Sequence, residues 1–524
     1  MTARSGSVYN GDMMKKLNST ELKDKIQGCW EGKNIGGVFG APFEMYRGLV
    51  DAKFYTQDLS ASIPPNDDLD LQLIWLNAAE KYGTALNSDI LAEFWTSFEI
   101  ANCGEYGTAK ENLKCGILPP LSGIIGNHMH NSNGAFIRSE IWACLFPGNP
   151  EKAVRYSYED AIVDHAEEGV YAAAFCTALE SAAFFENNIN KLIEIGRSYI
   201  PESSKVGEAI KMVKEMYEDN KTIEEIRVAL LTDFPSYFGI YNVHPYEIKE
   251  NFPLGDDLGL DAPVQLGIIT AALLFGQGDF EKTLITAVHC GEDADCTAAT
   301  VGAILGIING KANLPDKWVK PLGNKIETLC INLALGGAIN VPKNTFELTD
   351  RVMRLLPVFN DNDRCMIDEC GITVFAEEQI PYSMRDLYFK GNYGMEDIKI
   401  HEYLSFAPYK KLYKNPVFNT VIDYGGEPFV STGDTVKLGV TLYNQNMDRV
   451  KHCVCVKVIA DNGITLNTNK YMRVMTSNNY EMKSELFVEF TVGECNAPYI
   501  DLYLDITVEG RSTVQLIKCR YFFK

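Results

Sequence analysis

The sequence has few basic residues for its acidic content. Its 524 residues include 48 Lys and Arg against 70 Asp and Glu, which gives a formal net charge of −22. A chain of this charge repels the phosphate backbone of nucleic acids, and no local basic patch offsets it. The composition therefore argues against a nucleic-acid partner, whereas it suits a site that collects cations.

The chain also lacks a long apolar run. No segment approaches the roughly 20 predominantly apolar residues that span a bilayer. Residues 1–25 contain no apolar stretch of the kind found in a secretory signal. We therefore predict a cytoplasmic protein with no membrane partner.

Regularly spaced cysteines are missing as well. The 14 cysteines follow no disulfide-like spacing, so those in apolar helical patterns, such as Cys144, Cys176 and Cys330, are interpreted as reduced and buried. Cys453 and Cys455 alternate on one predicted strand, which places both on one face. Their spacing does not match a zinc CxxC knuckle.

The chain divides into two regions of different sequence pattern. The first, from about residue 20 to 400, carries apolar residues at helical spacing, and no period-2 pattern of any length interrupts it. The second is close to neutral and alternates apolar and polar residues between turn signals, which is typical of a β-sandwich. We predict an all-α domain, a linker and an Ig-like β-sandwich over residues 1–400, 401–416 and 417–524.

Two acidic clusters each precede a predicted helix, at Asn66–Asp70 (NDDLD) and Gly291–Thr297 (GEDADCT). One carboxylate is enough to cap a helix, whereas several adjacent carboxylates repel one another. If the two helix starts meet, they offer hard oxygen ligands to one or two Mg²⁺, Mn²⁺ or Ca²⁺ ions. The carboxylates in question are Asp67, Asp68, Asp293 and Asp295.

The helix after the second cluster carries glycines at a four-residue spacing, Gly302, Gly306 and Gly310. Each glycine inside a helix costs roughly 1 kcal/mol relative to alanine. The repetition on one face therefore predicts a close contact with another helix. Such a contact would hold the second cluster rigidly, as a metal site requires.

Five segments, in order along the chain, together resemble the ADP-ribosylglycohydrolase family. They comprise a glycine-rich helix ending in an acidic residue, an Asp-Asp motif, an Asn-Gly-x-x-x-Arg segment, a helix with a His, and a Gly-x-Asp-x-Asp motif before a small-residue helix. Their positions are Gly28–Glu44, Asn66–Leu69, Asn133–Arg138, Asp160–Gly169 and Gly291–Gly310. The resemblance spans roughly residues 20–345 and leaves the predicted sandwich outside.

The resemblance implies an all-α fold with a binuclear Mg²⁺ or Mn²⁺ centre. It further implies hydrolysis of an N- or O-glycosidic bond at C1 of ADP-ribose, or of a related ribofuranoside, in a small-molecule or ADP-ribosylated substrate. The residues assigned to the metal are Asn66, Asp67, Asp68, Asp293, Asp295 and Thr297. The residues assigned to the substrate are Asn127, Ser132, Asn133, His165 and Gly291.

The chain departs from the family pattern at several of these positions. Leu69 replaces a Thr and cannot bind metal, while Asn66 replaces another Thr with an amide whose oxygen can substitute. Cys296 also replaces a Thr, and a thiol is a poor ligand for Mg²⁺. Thr297 then compensates, or one metal position is weakened. Because Gly37 further replaces an Asp, the pattern indicates a divergent branch.

Two carboxylates are candidates for the base that activates or positions water. Glu44, which closes the first motif, is the first choice. Glu105 is the second, because Glu105–Gly107 (EYG) loosely matches an Asp-x-Gly loop of some members. Without the resemblance, Glu44 would be interpreted as a surface carboxylate. His165 and the loop that carries Asn127 have similar simple alternatives, a capping group and an ordinary turn.

Three functions stay open at this level. Besides hydrolysis at C1 of ADP-ribose, they are hydrolysis of another glycoside, with the sandwich helping to hold carbohydrate, and a non-catalytic nucleotide-binding descendant. The sandwich carries no motif of its own. It could bind sugar, cover the mouth of the site or mediate homo-oligomerisation.

Overall fold

The computed structural model describes residues 15–60, 62–234, 260–333, 339–376, 409–415, 417–444, 451–477 and 483–524. Within them, the helices all precede residue 360 and most strands follow it. The predicted order of a large helical region followed by a β region is therefore confirmed. None of the described helices combines the length and apolarity needed to cross a bilayer.

The helical region contains sixteen α-helices within the described residues. Many begin at a polar residue whose side chain accepts hydrogen bonds from the first turn, as Asn18 does for the first helix. Their bounds are α1 (Ser19–Gly40), α2 (Asp67–Tyr82), α3 (Ser88–Phe98), α4 (Gly104–Lys114), α5 (Leu121–Ile124), α6 (Glu140–Leu145), α7 (Pro150–Ala161), α8 (Glu167–Ala183), α9 (Ile189–Ser198), α10 (Lys205–Glu218), α11 (Ile223–Asp233), α12 (Ala262–Gly276), α13 (Phe280–His289), α14 (Ala294–Asn309), α15 (Asp316–Leu322) and α16 (Thr345–Phe359).

The described residues also form thirteen β-strands. They make one three-stranded sheet beside the helices and two five-stranded sheets in the C-terminal region. Their bounds are β1 (Lys15–Leu17), β2 (Cys365–Asp368), β3 (Gly371–Ala376), β4 (Lys410–Tyr413), β5 (Phe418–Asp423), β6 (Phe429–Val430), β7 (Thr435–Asn444), β8 (Cys453–Ala460), β9 (Ile464–Leu466), β10 (Tyr471–Met475), β11 (Lys483–Val492), β12 (Tyr499–Val508) and β13 (Val514–Phe523).

Helices α1 and α14 cross in direct backbone contact at the centre of the helical region. A Cβ atom on Gly32 would lie 2.0 Å from the carbonyl oxygen of Gly302, and one on Gly28 would lie 2.3 Å from that of Gly306. No side chain fits at such separations, so only glycine allows this approach. The close helix contact predicted from the glycine spacing is confirmed.

Gly310 takes no part in the backbone-to-backbone contact, because a Cβ there would meet the side chain of Asp24 on α1, 2.1 Å from Oδ2. It follows the last residue of α14 with a φ of 72°, a left-handed conformation that favours glycine. The third glycine of the spacing therefore ends the helix, whereas the partner residues on the other helix are Gly28, Gly32 and Gly36.

A small antiparallel sheet in the order β1-β3-β2 corrects the all-α expectation for the first region. Lys15 pairs with Ala376, so the start of the described chain joins the end of the helical region. The strands are three, six and four residues long in that order. A period-2 pattern is hard to detect over so few residues, which explains why sequence inspection missed them.

The C-terminal region is a sandwich of two sheets, with strand orders β10-β8-β12-β13-β6 and β4-β5-β7-β11-β9. Neighbouring strands are antiparallel except for the short β6, which pairs in parallel with β13. Both sheets contribute to one apolar core, in which Leu504 lies opposite Val458 and Ile517 on adjacent strands. The alternation that predicted the sandwich is the alternation between this core and the outer faces.

The sandwich starts earlier than its predicted boundary. Strand β4, at Lys410–Tyr413, lies within the segment assigned to the linker and pairs with β5. Its lysine-rich sequence suits an edge strand, which hides it from pattern inspection. Residues 401–408 and 416 of that segment lie outside the described residues.

The hairpin between β12 and β13 touches the helical region at α3. The hydroxyl of Ser512 donates to the carbonyl oxygen of Thr96 over 2.8 Å and lies 3.2 Å from the hydroxyl of Ser97. Arg511 pairs with the carboxylate of Glu93 beside this contact. The two regions are thus joined by polar contacts at the tip of one hairpin.

We expect Gly302→Ala to lower the free energy of unfolding by about 3 kcal/mol. Alanine favours an isolated helix, but here its Cβ would lie 2.2 Å from the carbonyl oxygen of Gly32. Urea unfolding followed by circular dichroism measures the change. Gly426→Ala is the control, because a Cβ there meets nothing within 4 Å. Equal stabilities of the two variants would contradict the close-contact interpretation.

Candidate metal centre and neighbouring polar site

The contact between α1 and α14 determines where Glu44 lies. A Cβ on Gly40, the last residue of α1, would lie 2.4 Å from the Cα of Asp295. The chain then passes through a single 3₁₀ turn, Ala41–Phe43, and reaches Glu44. As a result, carboxylate oxygens of Glu44, Asp293 and Asp295 lie within 4.8 Å of one another.

The start of α2 brings the first acidic cluster to the same place. Asp68, Asp295 and Cys296 have ligand atoms within 4.8 Å of one another, so Asp295 belongs to both groups. Asn66 fixes this approach, because its amide fills the space where a Cβ on Gly37 would lie, 2.5 Å from Nδ2. The two helix starts therefore meet, as a shared cation site would require.

The donor atoms at this junction fit a hard divalent cation. At this junction, three buried carboxylate oxygens make no hydrogen bond within the part of the chain that the structure describes: Asp68 Oδ2, Asp293 Oδ1 and Asp295 Oδ1. Burial raises the pKa of Asp68 to about 8 against the opposing charge of Lys33, and it raises the pKa of Asp295 well above its usual value. Buried carboxylates without partners are costly unless a cation neutralises them.

Glu44 and Asp67 are the solvent-facing members of the cluster. Loss of hydration raises the pKa of Glu44 to about 7, and the neighbouring charges of Asp293 and Asp67 add to the rise. The pKa of Asp67 is raised for the same first reason. A carboxyl that is reachable by water and titrates near neutrality has the properties of a general base.

The thiol of Cys296 hydrogen bonds to one carboxylate oxygen of the first acidic cluster. Its Sγ donates a hydrogen bond to Asp68 Oδ1 over 3.2 Å. Burial and the surrounding carboxylates raise the pKa of this thiol well above its usual value, so the group is neutral. Leu69, the other substituted position, is fully buried in the apolar core.

Thr297 is positioned differently from the other candidate metal ligands. Its hydroxyl hydrogen bonds to the backbone carbonyl oxygens of Asp293 and Ala294, at 3.1 and 3.3 Å, and the side chain is fully buried. The Thr297 hydroxyl is therefore engaged by the backbone of the first turn of α14. Asn66 lies at the N-cap of α2 with its amide nitrogen 3.5 Å from the carbonyl oxygen of Lys33.

Asn133 connects this cluster to a second polar group. Its amide nitrogen donates to Asp293 Oδ2 in a short hydrogen bond. A Cβ on the next residue, Gly134, would lie 2.4 Å from Glu105 Oε1 and 3.1 Å from the His165 ring. Glu105 and His165 therefore pack directly against the segment that holds Asp293.

His165 is fixed from both ring nitrogens in a fully buried setting. Its Nε2 lies 2.9 Å from the Ser132 hydroxyl and 3.7 Å from Glu105 Oε1, while its Nδ1 lies 2.9 Å from Asp164 Oδ1. Burial raises the pKa of Glu105 against the opposing effect of His165. Three of the sequence candidates, Ser132, His165 and Glu105, are thus brought together.

A family model described as ADP-ribosylglycohydrolase matches residues 18–343. The chain belongs to the ADP-ribosylglycohydrolase family. The match includes both acidic clusters, Asn133 and His165, and it excludes the sandwich.

More distant comparisons add little to this assignment. No curated protein matches the chain. A solved structure described as an ADP-ribosylglycohydrolase-related protein complex is 15% identical and aligns with 64% of this chain and 99% of its own, at a TM-score of 0.38.

Asn127 and Gly291, two of the residues predicted to bind substrate, make contacts with the backbone of neighbouring loops. The amide nitrogen of Asn127 donates to the carbonyl oxygens of Gly123 and Asp164 at 2.9 and 2.7 Å, and its oxygen accepts from the Met129 N–H. Gly291 has a φ of 66°, and a Cβ there would lie 2.2 Å from the carbonyl oxygen of Gly48. The structure places both positions in tight backbone packing.

Sequence inspection missed the buried lysine of this ADP-ribosylglycohydrolase domain. Lys33 is fully buried on α1, with its ammonium 2.9 Å from Glu140 Oε1 and 3.8 Å from Asp68 Oδ2. Burial opposes its charge, but Glu140 and Asp68 together raise its pKa. The sequence did contain one sign of this burial: Lys33 lies in a helix that has no clear polar face, so its side chain had no obvious route to solvent.

We expect Lys33→Met to lower the free energy of unfolding by about 3 to 5 kcal/mol, because it leaves Glu140 buried without its cation. Adding Glu140→Gln should cost less than the sum of the two single changes. Urea unfolding gives these values.

The matched control for this change is Lys23→Met on the same helix. Lys23 pairs with Asp350 on the surface, where both side chains are about half exposed. That substitution should change the free energy by less than about 1 kcal/mol. Similar losses at the two lysines would show that burial of the Lys33 pair does not matter.

Proposed function

We propose that this chain is a metal-dependent hydrolase that cleaves the glycosidic bond at C1 of ADP-ribose, N- or O-linked, or of a related ribofuranoside. Membership in the ADP-ribosylglycohydrolase family supports the reaction class. The observation that carries the proposal is the group of three buried carboxylate oxygens that make no hydrogen bond, on Asp68, Asp293 and Asp295, where α2 meets α14.

The ligands for Mg²⁺ or Mn²⁺ would be the carboxylates of Asp67, Asp68, Asp293 and Asp295, with the amide oxygen of Asn66 as a further donor. When bound, the cation polarises substrate oxygens and lowers the pKa of water. The two overlapping groups of donor atoms, which share Asp295, support two adjacent ions. The surplus of carboxylates over cationic side chains supports metal binding on charge grounds.

Glu44 is the proposed base. Its exposed carboxylate lies within 4.8 Å of oxygens of Asp293 and Asp295, so water can reach it beside the ligands. Its raised pKa, about 7, lets it accept a proton from water and release it again near neutrality. Glu105, which is 8% exposed, is the second candidate for this role.

Ser132 and His165 act by positioning in this proposal. Both side chains are fully buried. Ser132 hydrogen bonds to Nε2 of His165, and this nitrogen lies 3.7 Å from Glu105 Oε1, so the pair packs against the Glu105 carboxylate and leaves no polar atom open to solvent. Asn133 orients Asp293 through its amide. The substrate would then contact the exposed edge of this group, beside Glu44.

The test is a hydrolysis screen over ADP-ribosyl-arginine, ADP-ribosyl-serine and simple furanosides with Mg²⁺ or Mn²⁺. We expect turnover that chelation abolishes and either ion restores. Asp295→Asn should remove both metal binding, measured by calorimetry, and turnover. Glu44→Gln should keep metal binding and lose about 10²- to 10⁴-fold in kcat.

The control for these variants is Asp316→Asn. Asp316 also lies in the first turn of a helix, α15, but it is solvent exposed and pairs only with Lys320 among the contacts described. It should leave metal binding and turnover unchanged. Wild-type protein that binds neither Mg²⁺ nor Mn²⁺ would instead support a non-catalytic descendant.

We expect Cys296→Thr to tighten Mg²⁺ binding by about tenfold, the lower end of what residues around a metal contribute. The change removes the thiol that donates to Asp68 Oδ1 and supplies a hard oxygen. Calorimetry measures the affinity. Cys519→Thr, at a buried cysteine of the sandwich, is the control. Weaker Mg²⁺ binding in Cys296→Thr alone would show that the thiol supports the site.

A further inference from the structure

A second group of metal-ligating side chains lies on the outer face of the sandwich, far from the acidic clusters in sequence. Cys453 and Cys455 are two residues apart on β8 and point away from the core, whereas Val454, Val456 and Val458 between and beyond them are buried in it. Glu509 follows β12 directly and is held there by its N–H, which donates to the carbonyl oxygen of Cys453 over 2.9 Å.

The three side chains converge. Residues two apart in a strand are separated by about 6.6 Å along its axis. The two sulfur atoms and a Glu509 carboxylate oxygen nevertheless lie within 4.8 Å of one another, and Cys455 Sγ lies 3.7 Å from Glu509 Oε1. The cysteine side chains therefore lean towards a common point instead of standing apart.

The neighbouring strand adds a third sulfur atom. Met475 on β10 pairs with Cys453, and directly opposed residues in antiparallel strands share a face. Its side chain is 53% exposed, so it is free to turn towards the thiols. Arg473, opposite Cys455, lies 2.9 Å from Glu509 Oε1 and orients that carboxylate.

We propose that Cys453, Cys455 and Glu509 form a surface site for a thiophilic d¹⁰ cation, Zn²⁺ or Cu⁺, with Met475 as an additional donor for Cu⁺. Thiolates and thioethers select such ions over Mg²⁺. On binding, the two S–H bonds break, both protons pass to solvent and two metal–sulfur bonds form, with no change in oxidation state. Zinc–sulfur bonds of about 2.3 Å require only a small further approach of the two sulfur atoms.

The position of the site suggests what the cation does. Glu509 lies two residues before Arg511, in the hairpin that pairs with Glu93 of α3. A cation held by β8 and by the start of this hairpin would fix the segment that touches the helical region. The inference does not rest on the proposed hydrolase function, since the two sites prefer different classes of metal.

The test is a Cd²⁺ titration of the reduced full chain in excess Mg²⁺, which occupies carboxylate sites, with thiolate-to-metal absorption as the readout. We expect one equivalent of Cd²⁺ bound through sulfur. Cys453→Ser/Cys455→Ser should lower the Cd²⁺ affinity more than about 100-fold. Loss of a residue that only hydrogen bonds to a metal ligand already lowers metal affinity by about 10- to 100-fold. Cys115→Ser/Cys370→Ser, at two other exposed cysteines, is the matched control.

Two further variants distinguish the ions. In competition titrations against Cd²⁺, Glu509→Gln should lower the affinity for Zn²⁺, and Met475→Leu should lower the affinity for Cu⁺. A readout without substitutions is protection of Cys453 and Cys455 from alkylation by one equivalent of Zn²⁺, measured by peptide mass spectrometry. Equal Cd²⁺ absorption in the wild type and in Cys453→Ser/Cys455→Ser, or no protection of either cysteine, would overturn the proposal.

Discussion

The backbone contact between α1 and α14 is the interaction on which the rest of the helical region depends. Side chains would hold these helices several ångströms farther apart, whereas glycine facing glycine lets the carbonyl oxygens meet the opposite backbone. The last turn of α1 then lies on the first turn of α14. This single approach brings Glu44 beside Asp293 and Asp295. Because the helices are held in backbone contact, these carboxylates cannot move apart to reduce their mutual repulsion.

The same contact determines how charge is distributed at the centre of the fold. Helix α1 carries Lys33 next to its glycines, and this buried cation faces both Asp68 and Glu140. One ammonium cannot neutralise the several carboxylates that meet at α2 and α14. The folded protein therefore carries an electrostatic penalty that a bound cation would relieve, and binding would then be linked to stability.

Much of this arrangement was predictable from local sequence. The acidic clusters and the glycine spacing each lie within a few residues, and together with the ordered family motifs they indicated a cation site beside a tight helix contact. The partners that sequence inspection could not supply are distant ones. Lys33 and Glu140 meet only after folding, and nothing in either local sequence names the other. Strands β2 and β3 are too short to show a period, and the backbone role of Thr297 depends on the exact start of α14.

The pairing of β1 with β3 has a consequence for how the chain folds. Lys15 lies opposite Ala376, and Gly28 lies against Gly306. Contacts so distant in sequence form slowly, because closing long loops costs entropy before any packing is gained. Helix α1 is synthesised first, yet its glycine face stays without a partner until α14 has been made. We therefore expect the carboxylate cluster to assemble late in folding, in which case a bound cation would report a completed helical region.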